Sequence, residues 1–533
     1  MFRKTLSSFF IVLALLLAGY FPTGIWAAEG DPKPEPPPDG SVFVLTLKDA
    51  VEGTLKNNVA IAVQEFNSKI REQDILDRKS EFDPTLGAEL SAQERTNQVA
   101  SAFAAPDKSR NLTHTWDLFL KQKLVTGADY ELNFTNDKNK TNSSFAGLNP
   151  QYSSDLTLSL TQPLLKNFGI DNNKRNIYIA KNDLQISDYE FQSKVIDTVT
   201  EVENVFWELV FSIEDLKVKD KSLDRARDFE KRVRAQVEVG TLAPLEILQA
   251  QSEVASREES LIKAADLIQD NEDNIKNILN INFDSSDGQK KLLPADKPEF
   301  KPEEKFVLED SLKEALQKRP DYLTRKKDLE SQNILVKYNE NQIYPSLDLV
   351  GSLGLNGISG DAINITSGSV QGRSRFGGGY DEALANTFST EYFLWEFGVK
   401  MSYPLGNRSA KSRLTASRLE VAQTLLDIKD LEKKIVVEVR EAVRQIQTEA
   451  KRVYATRIAR KLAEEKLSAE EKKFEVGLST SFNVLEFQED LAIEQSNEIR
   501  ALIDYNKSRI RLRQVVATTL DAHNIKMSSE KDS

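Results

Sequence analysis

The sequence predicts a mainly α-helical chain with a minority of β-strands, built as two tandem copies of one unit and drawn out into long antiparallel helical hairpins. An internal repeat predicts the two copies. Leu47-Lys-Asp-Ala-Val-Glu-Gly-Thr-Leu55 answers Leu308-Glu-Asp-Ser-Leu-Lys-Glu-Ala-Leu316, and the same offset carries Pro84-Thr-Leu86 onto Pro345-Ser-Leu347. Two tracts without Gly or Pro, 171–239 and 407–476, predict the hairpins, because each can run as one helix of roughly 100 Å at 1.5 Å per residue. Alternating apolar and polar residues, as in Leu86, Ala88, Leu90 and Ala92 or Leu156, Leu158 and Leu160, predict the strands.

The chain has 533 residues, and its first 28 read as a signal peptide: Arg3 and Lys4 precede an apolar run from Phe9 to Phe21, with small residues at Ala27 and Ala28. Residues 29–44, with Pro32–Pro38, read as an extended Pro-rich leader. The first repeat spans 45–281. It opens on a helical stretch over 46–80 with Leu47, Val51 and Leu55 at helical spacing, then changes to strands over about 85–163. A hairpin candidate lies within them, Trp116–Leu124 and Ala128–Phe134 about Thr126-Gly127, with no counterpart in the second copy.

Within the tract 171–239, Val195, Val199, Val202, Phe206, Leu209, Ile213 and Leu216 step by fours and threes, which makes a coiled-coil seam. Gly240 stops this helix, and Pro244 suits the first turn of a return helix over 244–280. A linker over 282–305 carries Pro294, Pro298 and Pro302. The second repeat, 306–520, has the same order: a helix over 307–340, strands over about 346–404 around a Gly/Ser loop through Gly377-Gly378-Gly379, a long helix over 407–476, Gly477, and a return helix over 481–520. Ile435, Val439, Ala442, Ile446, Ala450 and Val453 form its stripe, and 521–533 is a charged tail. Both stripes read as packing seams that bind no cofactor. The strands by themselves fit a soluble sheet as well as a membrane barrel.

Composition excludes several classes of function. No cysteine is present, so disulfides and thiolate metal sites are out, and two histidines, His114 and His523, cannot make a His-rich metal site. A net charge of −12 with no concentrated Lys/Arg patch argues against nucleic acid as partner. No nucleophile and base stand at a recognisable spacing, so no catalytic, cofactor or metal residue is assigned and the chain reads as a non-enzyme.

Val239-Gly240-Thr241 and Val476-Gly477-Leu478 stand at matching points in the two copies, followed by Leu245-Glu-Ile-Leu248 and Asn483-Val-Leu485. With Gln162-Pro163-Leu164-Leu165 and the twice-repeated order of helix, strands, long helix, Val-Gly turn and return helix, nearly all of 45–520 resembles the TolC family of outer-membrane efflux proteins. The resemblance implies a homotrimer whose strands close one β-barrel in outer-membrane lipid, while the helices form an α-barrel tunnel through the periplasm. It implies four strands per protomer, and the hairpin at 116–134 leaves six open.

The implied function is a channel conducting exported substrates. The implied partners are an inner-membrane transporter and a periplasmic adaptor (membrane fusion) protein that docks on the tips at Val239, Gly240, Thr241, Val476, Gly477 and Leu478. Carried across, the family's acidic constriction falls on Glu246, Asn483 and Glu486. Asn483 departs from the acidic pattern, so a ring of three Glu486 carboxylates is the reduced expectation. The arginine lock position is Ser479, so that lock is missing. The competing reading is a periplasmic coiled-coil adaptor or a surface adhesin without a conduit. An adaptor would carry one hairpin in a compact β-domain, whereas this chain has two hairpins in tandem repeats.

Overall fold

The computed structural model describes residues 42–99, 108–301, 306–367 and 370–527. The signal peptide 1–28 and most of the leader 29–44 lie outside them. The end of that leader is a strand, β1 (Val42–Leu45), and helices α1 (Leu47–Asn57) and α2 (Val59–Lys79) follow. Strands β2 (Thr85–Gln98), β3 (Lys108–Lys123), β4 (Asp129–Thr141) and β5 (Leu148–Pro163) come next. A short helix α3 (Ile170–Asn173), the long α4 (Arg175–Glu238) and its return α5 (Leu245–Ile278) complete the first copy.

Strand β6 (Lys291–Pro294) lies in the linker. The second copy holds α6 (Leu308–Lys318), α7 (Pro320–Asn341), β7 (Ser346–Ala362), the small strands β8 (Asn364–Ser367) and β9 (Val370–Arg373), and α8 (Tyr380–Phe388). It ends with β10 (Phe393–Ser402), α9 (Arg408–Glu475), α10 (Ser481–Val516) and α11 (Thr519–Ala522).

The opening helix of each copy is two helices rather than the single stretch expected. Asn58 breaks the first: its side-chain oxygen accepts from the N–H groups of Ala60 and Ile61 at 2.9 and 3.2 Å, capping a new start. Pro320 breaks the second, since it has no N–H to give and tolerates only the first turn. The linker and the leader are also more than spacers, because β6 pairs in parallel with β1 from Val42↔Lys291 to Leu45↔Pro294.

α4 has 64 residues and α9 has 68, so each rod is close to 100 Å long. No single core could cover such rods, and the buried side chains form separate clusters along them. Val195, Val199, Val202, Phe206 and Leu209 pack with Leu45, Ile275, Ile510 and Leu520 in one cluster. Ile435, Val439, Ala442 and Ile446 pack with Tyr505, Leu512 and Val515 in a second. A third, near the hairpin ends, joins Phe229 and Val233 to Leu467, Phe474, Val484 and Leu485. The stepped stripes read from the sequence are therefore buried seams, and burial of such side chains is worth about 1.5–3 kcal/mol each.

The return helix α10 stops at Val516 rather than at 520, because Ala517 takes a left-handed conformation at φ 61°. The chain then folds back through α11, and His523 Nε2 lies 3.1 Å from the fully buried Glu203 on α4. The charged tail is thus tied to the rod at its start.

Candidate functional site

The main sheet has the order β10-β7-β5-β4-β3-β2, antiparallel throughout. Four strands come from the first copy and two from the second, so among the described residues this sheet has six strands, and the expectation of four is corrected. The added pair is β3 and β4, the 116–134 hairpin, lengthened at its outer end by residues such as Asn111, Thr113, Asn136 and Asn139 that show no apolar alternation. Register assigns the two faces, since residues paired across antiparallel strands point the same way.

One face carries Phe393, Trp395, Phe397, Val399 and Met401 on β10, paired to Leu355, Leu353, Gly351, Leu349 and Leu347 on β7. It continues through Leu156, Leu158 and Leu160 to Phe134, Leu132 and Tyr130, then to Leu118 and Leu120, and ends at Leu86, Ala88 and Leu90. This apolar face is open: Leu86 is 77% exposed and Phe397 68%. Along β10 the alternation covers about 26 Å of strand, close to the height of an apolar band in a membrane barrel. The other face carries Glu89, Asp117, Glu131, Asp155, Thr157, Ser159 and Glu396. Among the described residues no helix is long and apolar enough to cross a membrane.

The sheet does not close on itself. β2 and β10 are its edges, each with a row of unpaired backbone groups, which a lipid environment cannot satisfy. Apolar seams are also left open on the helices. On α2, Val59, Val63, Phe66 and Ile70 step by four, three and four, and all are exposed. On α9, Leu419, Leu426 and Val437 are exposed. Seams at this spacing belong against other helices.

At the far end of the rods, both hairpin turns have the same hydrogen bonds. Thr241 N–H donates to Gln236 O and Gly240 N–H to Val237 O, while Leu478 N–H donates to Lys473 O and Gly477 N–H to Phe474 O. This six-to-one and five-to-two pattern ends a helix with a left-handed residue, and Gly240 and Gly477 supply it at φ 78° and 75°. Neither glycine has any atom within 4 Å of where a Cβ would stand. Val239, Val476 and Leu478 project beside them, 75%, 68% and 78% exposed, so each tip is bare backbone flanked by apolar side chains.

The acidic positions differ from one another. Glu486 is exposed on the second turn of α10. Asn483 is engaged within that turn, its N–H donating to Thr480 and its side-chain amide to the Ser479 hydroxyl, both at 3.4 Å. Glu246 is half-buried, with one carboxylate oxygen shielded and unpaired. Ser479 donates in turn to Glu470, whose carboxyl is held below its ordinary value by Lys473 and then by this hydroxyl. Among the described residues no His/Cys/Asp/Glu cluster could hold a metal.

A residue not singled out from the sequence joins the two hairpins. Arg257 on α5 is 6% exposed; it donates to Glu253 on its own helix, to Ser222 on α4 and to Leu485 and Gln488 on α10. In sequence it reads as the positive half of an ordinary i,i+4 pair, and the repeat gives no matching arginine.

A family model described as "Outer membrane efflux protein" matches residues 129–280 and 311–518. Among solved structures, the chain is similar to the Campylobacter jejuni CmeC outer membrane channel at 13% identity, covering 90% of each chain with a TM-score of 0.62. It is similar to the outer membrane protein VceC of Vibrio cholerae at 16% identity, covering 88% of this chain and 95% of that one with a TM-score of 0.61. The open state of the Neisseria gonorrhoeae MtrE outer membrane channel follows at 12% identity, covering 88% of each chain with a TM-score of 0.57. No curated protein sequence matches significantly.

Proposed function

Because the chain belongs to the outer membrane efflux protein family and is an outer-membrane efflux channel reaching into the periplasm, we propose that three copies assemble into its working form. The observation that carries this is the open sheet, apolar on one face, polar on the other and unpaired at both edges. Joining β10 of one copy to β2 of the next satisfies every edge. Three sheets of six make a barrel of eighteen strands, and barrels of that size leave an aqueous passage. The polar face lines this passage and the apolar face meets lipid. The open seams on α2 and α9 support the same assembly, since sister copies cover them and extend the tunnel.

The two tips dock a periplasmic adaptor, which joins the channel to an inner-membrane transporter. Exposed Val239, Val476 and Leu478 beside uncovered backbone at Gly240 and Gly477 give such a partner an apolar anchor and a close approach. Thr241 serves the turn itself, its hydroxyl donating to Gln236 O at 2.8 Å. Among the constriction candidates Glu486 is the exposed carboxylate, so a ring of three at the mouth favours cations. The chain performs no chemistry on what passes.

Native mass determination and planar-bilayer conductance test the assembly. A heat-sensitive trimer with single-channel conductance is the expected result, and a monomer that conducts nothing overturns it.

A further inference from the structure

The loop between β7 and β10 does not stand clear of the sheet. Its helix α8 lies on the apolar face, beyond the Leu band and at the end remote from the rods. Ala383 and Thr387 are buried beneath it, and the Thr387 hydroxyl donates to Ser154 O at 2.7 Å. The sheet is made small there to receive it: Ser154 and Ser359 are fully buried, and a Cβ on Gly357 would stand 2.2 Å from Ala383 O. Tyr380 reaches sideways, donating to Asn136 at 2.7 Å and packing edge-on against Trp116 at 5.1 Å, with Tyr152 at 6.3 Å.

Register continues this face outward from the rings. His114 pairs with Lys138, Leu112 with Lys140, and Lys138 with Tyr152, so His114, Lys138 and Lys140 all point to the apolar side. The Lys138 ammonium lies 5.3 Å from the Tyr152 ring centre. Among the described residues no carboxylate pairs with Lys138 or Lys140, although Asp381 and Glu382 stand at the start of α8. Arg110 nearby is already paired with Glu94.

Leucines, then Trp116, Tyr152 and Tyr380, then unpaired ammonium groups is the order of a lipid leaflet read from tails to headgroups. We infer that this collar binds the phosphate groups of an anionic outer-leaflet lipid through Lys138 and Lys140, with the Trp116–Tyr152–Tyr380 ring set and α8 seating the lipid below them. The inference rests on the reading of the sheet as a barrel wall. Charge complementarity selects the occupant, since ammonium groups at a leaflet surface attract phosphate and a neutral headgroup has nothing to offer them.

The test uses the full-length protein in phosphatidylcholine nanodiscs doped with bis-phosphorylated lipid A or with its dephosphorylated form, with retained lipid read by native mass spectrometry. Wild type should retain the phosphorylated form preferentially. Lys138→Gln with Lys140→Gln should lower that retention about twenty-five-fold, from roughly fivefold per lysine, and Lys138→Arg with Lys140→Arg should keep it. Equal retention of the two lipids, an unchanged Gln variant, or release of the lipid by excess inorganic phosphate overturns the inference. Conductance of the same samples separates the two readings: a conducting trimer indifferent to lipid phosphate sinks only this site, and a non-conducting monomer sinks the barrel.

Discussion

Arg257 Nη2 donates to the Leu485 carbonyl at 3.1 Å, so a guanidinium from the first hairpin closes a backbone group of the second. Its partners reach it from three helices, and it is the buried polar link between the hairpins a few turns above the tips. Arg257→Ala leaves Ser222, Gln488 and the Leu485 carbonyl without their donor and should destabilise this region by about 3 kcal/mol. Hydrogen exchange over 245–258 and 481–490 checks it, with a rise in both segments expected. Arg227→Ala removes an exposed pair with Glu258 and should change exchange by less than about 0.5 kcal/mol.

Adjacent positions on β10 face opposite ways. Phe397→Lys puts an ammonium on the apolar face and should cost about 2–4 kcal/mol at the level of the band, lowering the yield of membrane-inserted protein. Glu396→Lys, one residue earlier, faces the polar side and should insert normally. Equal insertion of both would reverse the assignment of faces.

The tips separate docking from assembly. Leu478→Asp changes an apolar side chain that is 78% exposed, so the trimer should form while adaptor co-purification is lost. Gly477→Ala has room for its methyl but strains a φ of 75°, costing about 1 kcal/mol. Export assays beside native gels check both, and an adaptor that still binds the Asp variant counts against the tip as anchor.

Glu208 on α4 carries a pH dependence. Burial pushes its carboxyl up, but hydrogen bonds from Lys507 at 2.6 Å and Arg500 at 2.9 Å, with their charges, outweigh that and hold it below its ordinary value of 4.5. The stabilisation is therefore whole above 4.5 and is lost as pH falls below that through the depressed folded value. Glu208→Gln should be less stable than wild type at pH 7, with the gap narrowing below about pH 4. Thermal melts across pH check it, and a gap that widens on acidification contradicts the sign.

The rods were legible in the sequence because a Gly- and Pro-free tract with a stepped apolar stripe admits little else: the tract 171–239 holds α4 at Arg175–Glu238, and 407–476 holds α9 at Arg408–Glu475. The Val-Gly turns were legible for a local reason, since glycine takes the left-handed conformation after a helix end at the least cost. The outer half of β2 and β3 was not, because Gln, Asn, Thr and Arg there alternate no apolar signal above the lipid band. α8 was hidden in a Gly/Ser loop, where nine helical residues are held by Gly357 and by Ser154, the latter more than two hundred residues away in sequence. Arg257 carries no signal in the sequence, because burial by another hairpin leaves no mark on its own helix. The break at Asn58 leaves a mark only in that one capping residue, because the apolar spacing runs on across it.

The seam where β5 meets β7 has a consequence for biogenesis. Leu156 and Leu355 face each other there, about two hundred residues apart along the chain, and among the described residues no other strand pair of this sheet joins the two copies. A nascent first copy therefore exposes a four-stranded greasy plate with no lateral mate until the last third of the polypeptide arrives. Escort by a holdase through that interval is the natural corollary, and truncation after the first copy should leave aggregates instead of half a pore.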